Sequence, residues 1–166
     1  MARTRRPIRV LIYNKHTMFR DGIKALLRQG SAIKIVGEAA TAKRAINLLE
    51  RVHPDVVLMD TDKTDLTGPE ATEKIRATDP HVQVLIVSLE ENKRLVSRCL
   101  RAGAVGCVRK ENRPPQLRDA INTAFRCAPR NTSLVVSGKV VSGKVVSGKV
   151  VSGKVVSGKV VSGKSR

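Results

Sequence analysis

Three short apolar runs in this chain lead to residues that can handle a charged oxygen. Asp60 follows Val56-Val57-Leu58-Met59, and Ser88 follows Val82-Gln83-Val84-Leu85-Ile86-Val87. Lys110 comes just after Ala104-Val105-Gly106-Cys107-Val108. A carboxylate can hold a cation or accept a transferred group, a hydroxyl can donate to an anionic oxygen, and an ammonium can neutralise one. Open α/β sheets bind ligands beyond the carboxyl ends of their strands. An Asp, a hydroxyl and a Lys at three successive strand ends therefore predict one polar crevice with Asp60 as its acid.

Other chemistry is sparse. His16, His53 and His81 have no carboxylate or cysteine partners at ligand spacing, which predicts surface or packing roles. Cys99, Cys107 and Cys127 show no paired metal-ligand spacing, and an odd count argues against a disulfide framework. Cys107 reads as a small packed residue. Gly103 and Gly106 read as turn glycines, because neither belongs to a phosphate-cradling GxGxxG or GxxxxGK[ST] motif. No catalytic residue and no metal-ligand set is expected, and the chain does not read as an enzyme.

The elements that must position these residues alternate in type. Ile8–Tyr13 is predicted as a strand, then a helix from Thr17 to Arg28 with Phe19, Ile23, Leu26 and Leu27 on one stripe, capped by Thr17 and stopped near Gly30. A strand over Ala32–Val36 precedes a helix capped by Thr41, with Ala42, Ala45, Ile46 and Leu49 inward. Strand Asp55–Met59 delivers Asp60, and a helix with Ala71 and Ile75 ends near Ala77. Strand Val82–Val87, a helix bearing Leu95, Val96, Cys99 and Leu100, and strand Ala104–Val108 follow. Pro114-Pro115 opens a last helix with Leu117, Ile121, Ala124 and Phe125 on one face, proline being tolerated in a first turn. Five strands alternating with five helices imply an α/β fold, a doubly wound parallel sheet covered on both faces.

From Val135 the character changes. Val-Val-Ser-Gly-Lys repeats six times, Val135 to Lys164, before Ser165-Arg166. A five-residue period matches neither helix nor strand. Six glycines raise the ordering cost, and a lysine every fifth residue discourages strand stacking. The expectation is a disordered basic tail. The domain plan is a basic extension over 1–7, one domain over 8–128, and a linker with low-complexity tail over 129–166.

The net charge is +18, and the first 129 residues alone carry +10. Such a balance favours polyanions, yet aromatic residues make up only 2%, so stacking platforms for bases are nearly absent. The N-terminal charged stretch leads into a strand too short for a signal sequence or a membrane span. The expected setting is cytoplasmic, with no membrane partner.

Taken together, Arg9-Val-Leu-Ile12, His16, Phe19-Arg-Asp-Gly22, Ile35-Val-Gly-Glu-Ala39, Pro54-Asp-Val-Val-Leu-Met-Asp60, Gly68, Glu70-Ala-Thr72, Arg101-Ala-Gly103, Gly106 and Lys110 form a specific signature. From about Ile8 to Cys127 the chain resembles the receiver domain of two-component response regulators, closest to the NarL/FixJ class. The resemblance implies a flavodoxin-like (βα)5 sheet of order 2-1-3-4-5, with Asp60 as phosphoacceptor and Ser88 and Lys110 as phosphate contacts. It also implies a Mg²⁺ ion held by Asp60 and by an acidic pair after the first strand.

That pair is replaced by Asn14 and Lys15. Mg²⁺ wants hard, charged oxygens in near-octahedral geometry, which an amide and an ammonium do not supply. Asp62 and Asp65 approach from the wrong side. The aromatic that normally couples to the hydroxyl is replaced by Cys107, and Lys63 and Thr64 make the loop after Asp60 atypical. The expected function is a degenerate receiver that binds no Mg²⁺ or other cofactor and acts by protein–protein contact. Lys15, with Lys110, would neutralise Asp60. Expected partners are a sensor histidine kinase or regulatory protein, and a second copy through the face of helix four, strand five and helix five. One alternative is an ordinary receiver phosphorylated at Asp60; another is sequence-blind nucleic-acid binding by charge. The helix-turn-helix effector of the class is absent from this sequence.

Overall fold

The computed structural model describes residues 6–28, 30, 32–61, 65–88, 93–109, 114–126, 133–136 and 139–142. Strand and helix alternate through β1 (Ile8–Tyr13), α1 (Thr17–Leu27), β2 (Ile33–Ala39), α2 (Ala42–Val52), β3 (Val56–Asp60), α3 (Gly68–Thr78), β4 (Gln83–Ser88), α4 (Lys93–Arg101), β5 (Gly106–Arg109) and α5 (Pro114–Arg126). The five strands lie in the order β2-β1-β3-β4-β5 and pair in parallel. That is the flavodoxin-like arrangement.

Side-chain alternation along each strand divides the core in two. Leu11, Tyr13, Val57, Met59, Val84 and Ile86 pack with Ala42, Ala45 and Leu49 of α2, Ala71 and Ile75 of α3 and Cys99 of α4. Val10, Ile12, Val56, Leu58, Leu85 and Val87 pack with Ile23 and Leu27 of α1 and with Leu117, Ala120, Ile121 and Ala124 of α5. Every residue of β3 and β4 is buried, which explains why both read as unbroken apolar runs rather than alternating ones.

Local signals set the helix ends. Thr41 accepts the Arg44 amide and caps α2, as its position predicts. His53 ends that helix in the left-handed region at φ 41°, just before Pro54. A capping box opens α3: Thr67 accepts from the Glu70 amide, and the Glu70 carboxylate accepts from the Thr67 amide and hydroxyl at 2.9 and 2.6 Å. Gly68 sits one step further on, where a Cβ would lie 3.0 Å from the Cys99 Sγ, so any larger residue would require Cys99 to give way where α3 meets α4.

The hydrogen bonds from Thr67 hold the Glu70 carboxyl below its ordinary range, its side-chain bond first and its amide second. A carboxyl lowered in the folded state stabilises the fold above its unfolded pKa and loses that contribution as pH falls through the folded pKa. Glu70→Gln should therefore lower the denaturation midpoint near neutral pH and leave it unchanged in acid below the folded pKa. Urea melts at the two ends of that range check it; an equal loss at both would mean packing, not charge, is responsible.

Some expectations need correction. Thr17 is the first helical residue of α1, and His16 occupies the cap position, with no capping hydrogen bond from its side chain. Strand β2 continues past Val36 to Ala39 because β1 pairs with it as far as Tyr13, across a register shift between Val10 and Leu11. Phe125 is not in the inward stripe of α5. Leu117, Ile121 and Ala124 fill that stripe, while Phe125 is 36% exposed with the Arg6 guanidinium 5.8 Å from its ring centre. The tail is not wholly unstructured either. Short strands β6 (Ser133–Val136) and β7 (Lys139–Ser142) extend the sheet, β6 parallel to β5 and β7 antiparallel to β6. The Val-Val pairs of the first two repeats, Val135-Val136 and Val140-Val141, supply the β-branched residues for this addition, and residues 143–166 lie outside the described residues.

Candidate functional site

Register decides which residues meet at the carboxyl edge of the sheet. Tyr13 pairs with Met59, Asp60 with Val87, and Ser88 with Arg109. Asn14, Asp60 and Ser88 thus step along one edge, and all three are buried, at 1%, 8% and 4% exposure. Lys110, the residue after β5, lies outside the described residues, as do Asp62, Lys63, Thr64 and Cys127.

Asn14 is the centre of the arrangement. Its Nδ2 donates to Asp60 Oδ2 at 2.5 Å, and its Oδ1 accepts from the His16 backbone amide at 2.7 Å. Its own backbone amide donates to Ala39 at 3.0 Å, and its carbonyl accepts from Arg20 Nη1 at 2.7 Å. The His16 amide fixes which end of the side chain faces inward: turning the amide over would leave that N–H facing another N–H. Asp60 consequently meets a donor at the place where the family pattern sets a carboxylate. Lys15, the next residue, is exposed.

The other acids nearby are committed elsewhere. Glu38 receives Arg20 Nε at 3.2 Å and Lys24 Nζ at 2.7 Å. Asp65 accepts the Ala42 and Lys43 amides at 2.8 and 3.1 Å, satisfying orphan donors at the start of α2. Among the described residues no three His, Cys, Asp or Glu side chains come together as a metal group. Mg²⁺ is a poor match to this donor set. The described residues offer it one carboxylate, and the Asn14 oxygen is already used by His16.

Cys107 lies in β5 within the α2–α3–α4 half of the core. Burial pushes its thiol up to about 11, with a smaller contribution from Cys99, and burial likewise lifts Cys99 to about 11. Neutral thiols of this kind are poor nucleophiles. Sequence reasoning missed the tie from Arg20 to the Asn14 carbonyl and the capping role of Asp65. It also missed Arg94, Arg98 and Arg101, exposed along α4 on the face where two copies were expected to pair. Their i, i+4, i+7 spacing was the available signal. Among the described residues no helix is long and apolar enough to cross a membrane.

Residues 10–122 match the family model of the response regulator receiver domain. The chain is 34% identical over 135 residues to the transcriptional regulatory protein LiaR of Bacillus subtilis, covering 80% of this chain and 63% of that protein. It is 30% identical over 118 residues to the nitrate/nitrite response regulator protein NarL of Escherichia coli K12, covering 71% and 55%. Among solved structures, the response regulator domain of Thermotoga maritima CheB matches with a TM-score of 0.69 at 29% identity, covering 75% of this chain and 100% of that one. A LuxR-family two-component response regulator from Aurantimonas sp. SI85-9A1 matches with a TM-score of 0.68 at 30% identity, covering 72% and 86%. The chain spans less than two thirds of the length of the curated relatives it matches.

Proposed function

Because the chain belongs to the response regulator receiver domain family of two-component systems, we propose that it is a degenerate receiver, whose acceptor pocket is held in one state by its own side chains rather than by Mg²⁺ and phosphate. The observation that carries this reading is the hydrogen bond from Asn14 Nδ2 to Asp60 Oδ2. Receiver chemistry depends on positioning and on cations that neutralise developing phosphoryl charge. Here a neutral donor already engages Asp60, the carboxylate that would hold a metal, and Lys15 in place of the second acid adds positive charge to the same loop. Lys15 then supplies standing charge compensation for Asp60, and signalling passes through protein–protein contact. Receivers of this family generally work with sensor histidine kinases, and such a kinase or a regulatory protein is the proposed partner here.

The second reading, an ordinary receiver phosphorylated at Asp60, draws on the preserved Asp60 and Ser88 at adjoining strand ends. Incubation with Mg²⁺ and acetyl phosphate, or with Mg²⁺ and beryllofluoride, separates the two. The degenerate receiver should show no added phosphoryl mass and no change in its amide NMR spectrum or oligomeric state. An added phosphoryl group on wild type that disappears in Asp60→Asn would replace the first reading by the second.

A further inference from the structure

The outer face of α4 carries charge of one sign only. The helix is Lys93-Arg-Leu-Val-Ser-Arg-Cys-Leu-Arg101, with four bases and no acid. Cys99 is buried against the core, and Leu95, Val96 and Leu100 pack beside it, so the opposite side projects Arg94, Arg98 and Arg101 into solvent. These three and Ser97 line an open recess of about 560 Å³. No salt bridge among the described residues ties up Arg94, Arg98 or Arg101. Arg98 lies in the field of Glu70, whose carboxylate is already bonded to Thr67.

We propose that this arginine ladder on α4 is a docking surface for the phosphate backbone of duplex nucleic acid. At 1.5 Å rise per residue the successive guanidinium-bearing positions stand about 6 and 4.5 Å apart along one face, close enough for the three to meet one run of backbone phosphates. Guanidinium is the side-chain group that binds phosphate through paired N–H donors, and the Ser97 hydroxyl between the arginines adds a donor of its own. The partner is polyanionic because a second copy docking symmetrically on this face would set the three arginines against their own images. The net charge of +18 supplies the long-range attraction for such a partner. Contacts confined to phosphates position a protein without reading sequence, so the surface binds duplexes of any sequence. The inference stands on α4 alone and is independent of whether Asp60 is ever phosphorylated.

The test uses the full chain and a labelled duplex of mixed sequence, titrated across salt. R94Q/R98Q/R101Q removes the ladder; K149Q/K154Q/K159Q removes the same charge from the tail repeats. Each phosphate contact adds about 0.9 to the slope of log affinity against log salt. The ladder variant should therefore lose on the order of tenfold or more in affinity at low salt, with a shallower slope by about two to three. The tail variant should lose clearly less. R94K/R98K/R101K keeps the charge without the fork and should bind several-fold more weakly than wild type, which keeps the test intact should the glutamine variant unfold. Equal losses in the ladder and tail variants would reduce the effect to bulk charge and overturn the proposal. So would wild-type affinity in the lysine variant, or binding to anionic phospholipid vesicles with none to the duplex.

Discussion

Asn14→Ala is expected to lower the stability of the domain by about 2–3 kcal/mol, well beyond the effect of truncating an exposed amide. The substitution has two consequences. It takes a donor at 2.5 Å from the Asp60 carboxylate, and it takes the acceptor at 2.7 Å from the His16 amide. Both losses fall at a residue only 1% exposed, where water does not readily replace the missing partner. Each buried polar group left short of a partner costs about 1–3 kcal/mol, and the site lies at the sheet edge where some relaxation is available, so the lower part of the sum applies. The measurement is the urea midpoint at unchanged slope. A double-mutant cycle isolates the pair: in an Asp60→Ala background the same Asn14→Ala change should cost at least about 1 kcal/mol less. Additivity within about 0.5 kcal/mol would mean that Asn14 does not act on Asp60, and the pocket would then need another source of compensation.

The frame that holds this pair was legible because burial leaves a plain signature. Val56-Val57-Leu58-Met59 and Val84-Leu85-Ile86-Val87 are apolar on both faces, which only a sheet covered on both sides requires, and each terminates in the polar residue that faces the crevice. Caps were legible where a side chain makes the bond, as at Thr41, and misread where the backbone alone sets the boundary, as at His16. Phe125 was misread because apolar character at i+8 was taken as burial, whereas the cation above its ring lies far away in sequence at Arg6. The substitution of Asn14 and Lys15 for acids was visible in the sequence; the orientation of the Asn14 amide was not. That orientation depends on the His16 backbone amide, a group every residue has, so no residue type advertises it. The strands β6 and β7 were hidden by a five-residue period that suits no long element, although Val135-Val136 and Val140-Val141 each fall in a four-residue strand that extends the existing sheet.

The converse experiment adds chemistry rather than removing it. Asn14→Asp with Lys15→Asp is expected to give a protein that is less stable than wild type without Mg²⁺ and that regains stability as Mg²⁺ is added. In the variant a carboxylate oxygen stands where Nδ2 stood, about 2.5 Å from Asp60 Oδ2. Two ionised carboxylates cannot share that separation without a proton or a cation between them. The other oxygen of residue 14 keeps the His16 amide as its donor, so the backbone has no reason to move and the new oxygen remains aimed at Asp60. The third carboxylate at position 15 completes an oxygen-rich set of the kind Mg²⁺ accepts alongside retained waters. A ligand selective for the folded state stabilises it by about 1.4 kcal/mol at ten times its Kd and about 2.7 kcal/mol at a hundred times. For a domain of this size that is a rise in melting temperature of roughly 5 °C or more. Wild type at matched ionic strength should stay flat, because its pocket presents a donor where the variant presents an acceptor. Thermal melts of both proteins over a Mg²⁺ series decide the matter, with Na⁺ adjusted to hold ionic strength constant. A wild-type melting temperature that climbs as steeply as the variant's would show that Asn14 gives way to the metal, and the pocket would then be an ordinary acceptor site.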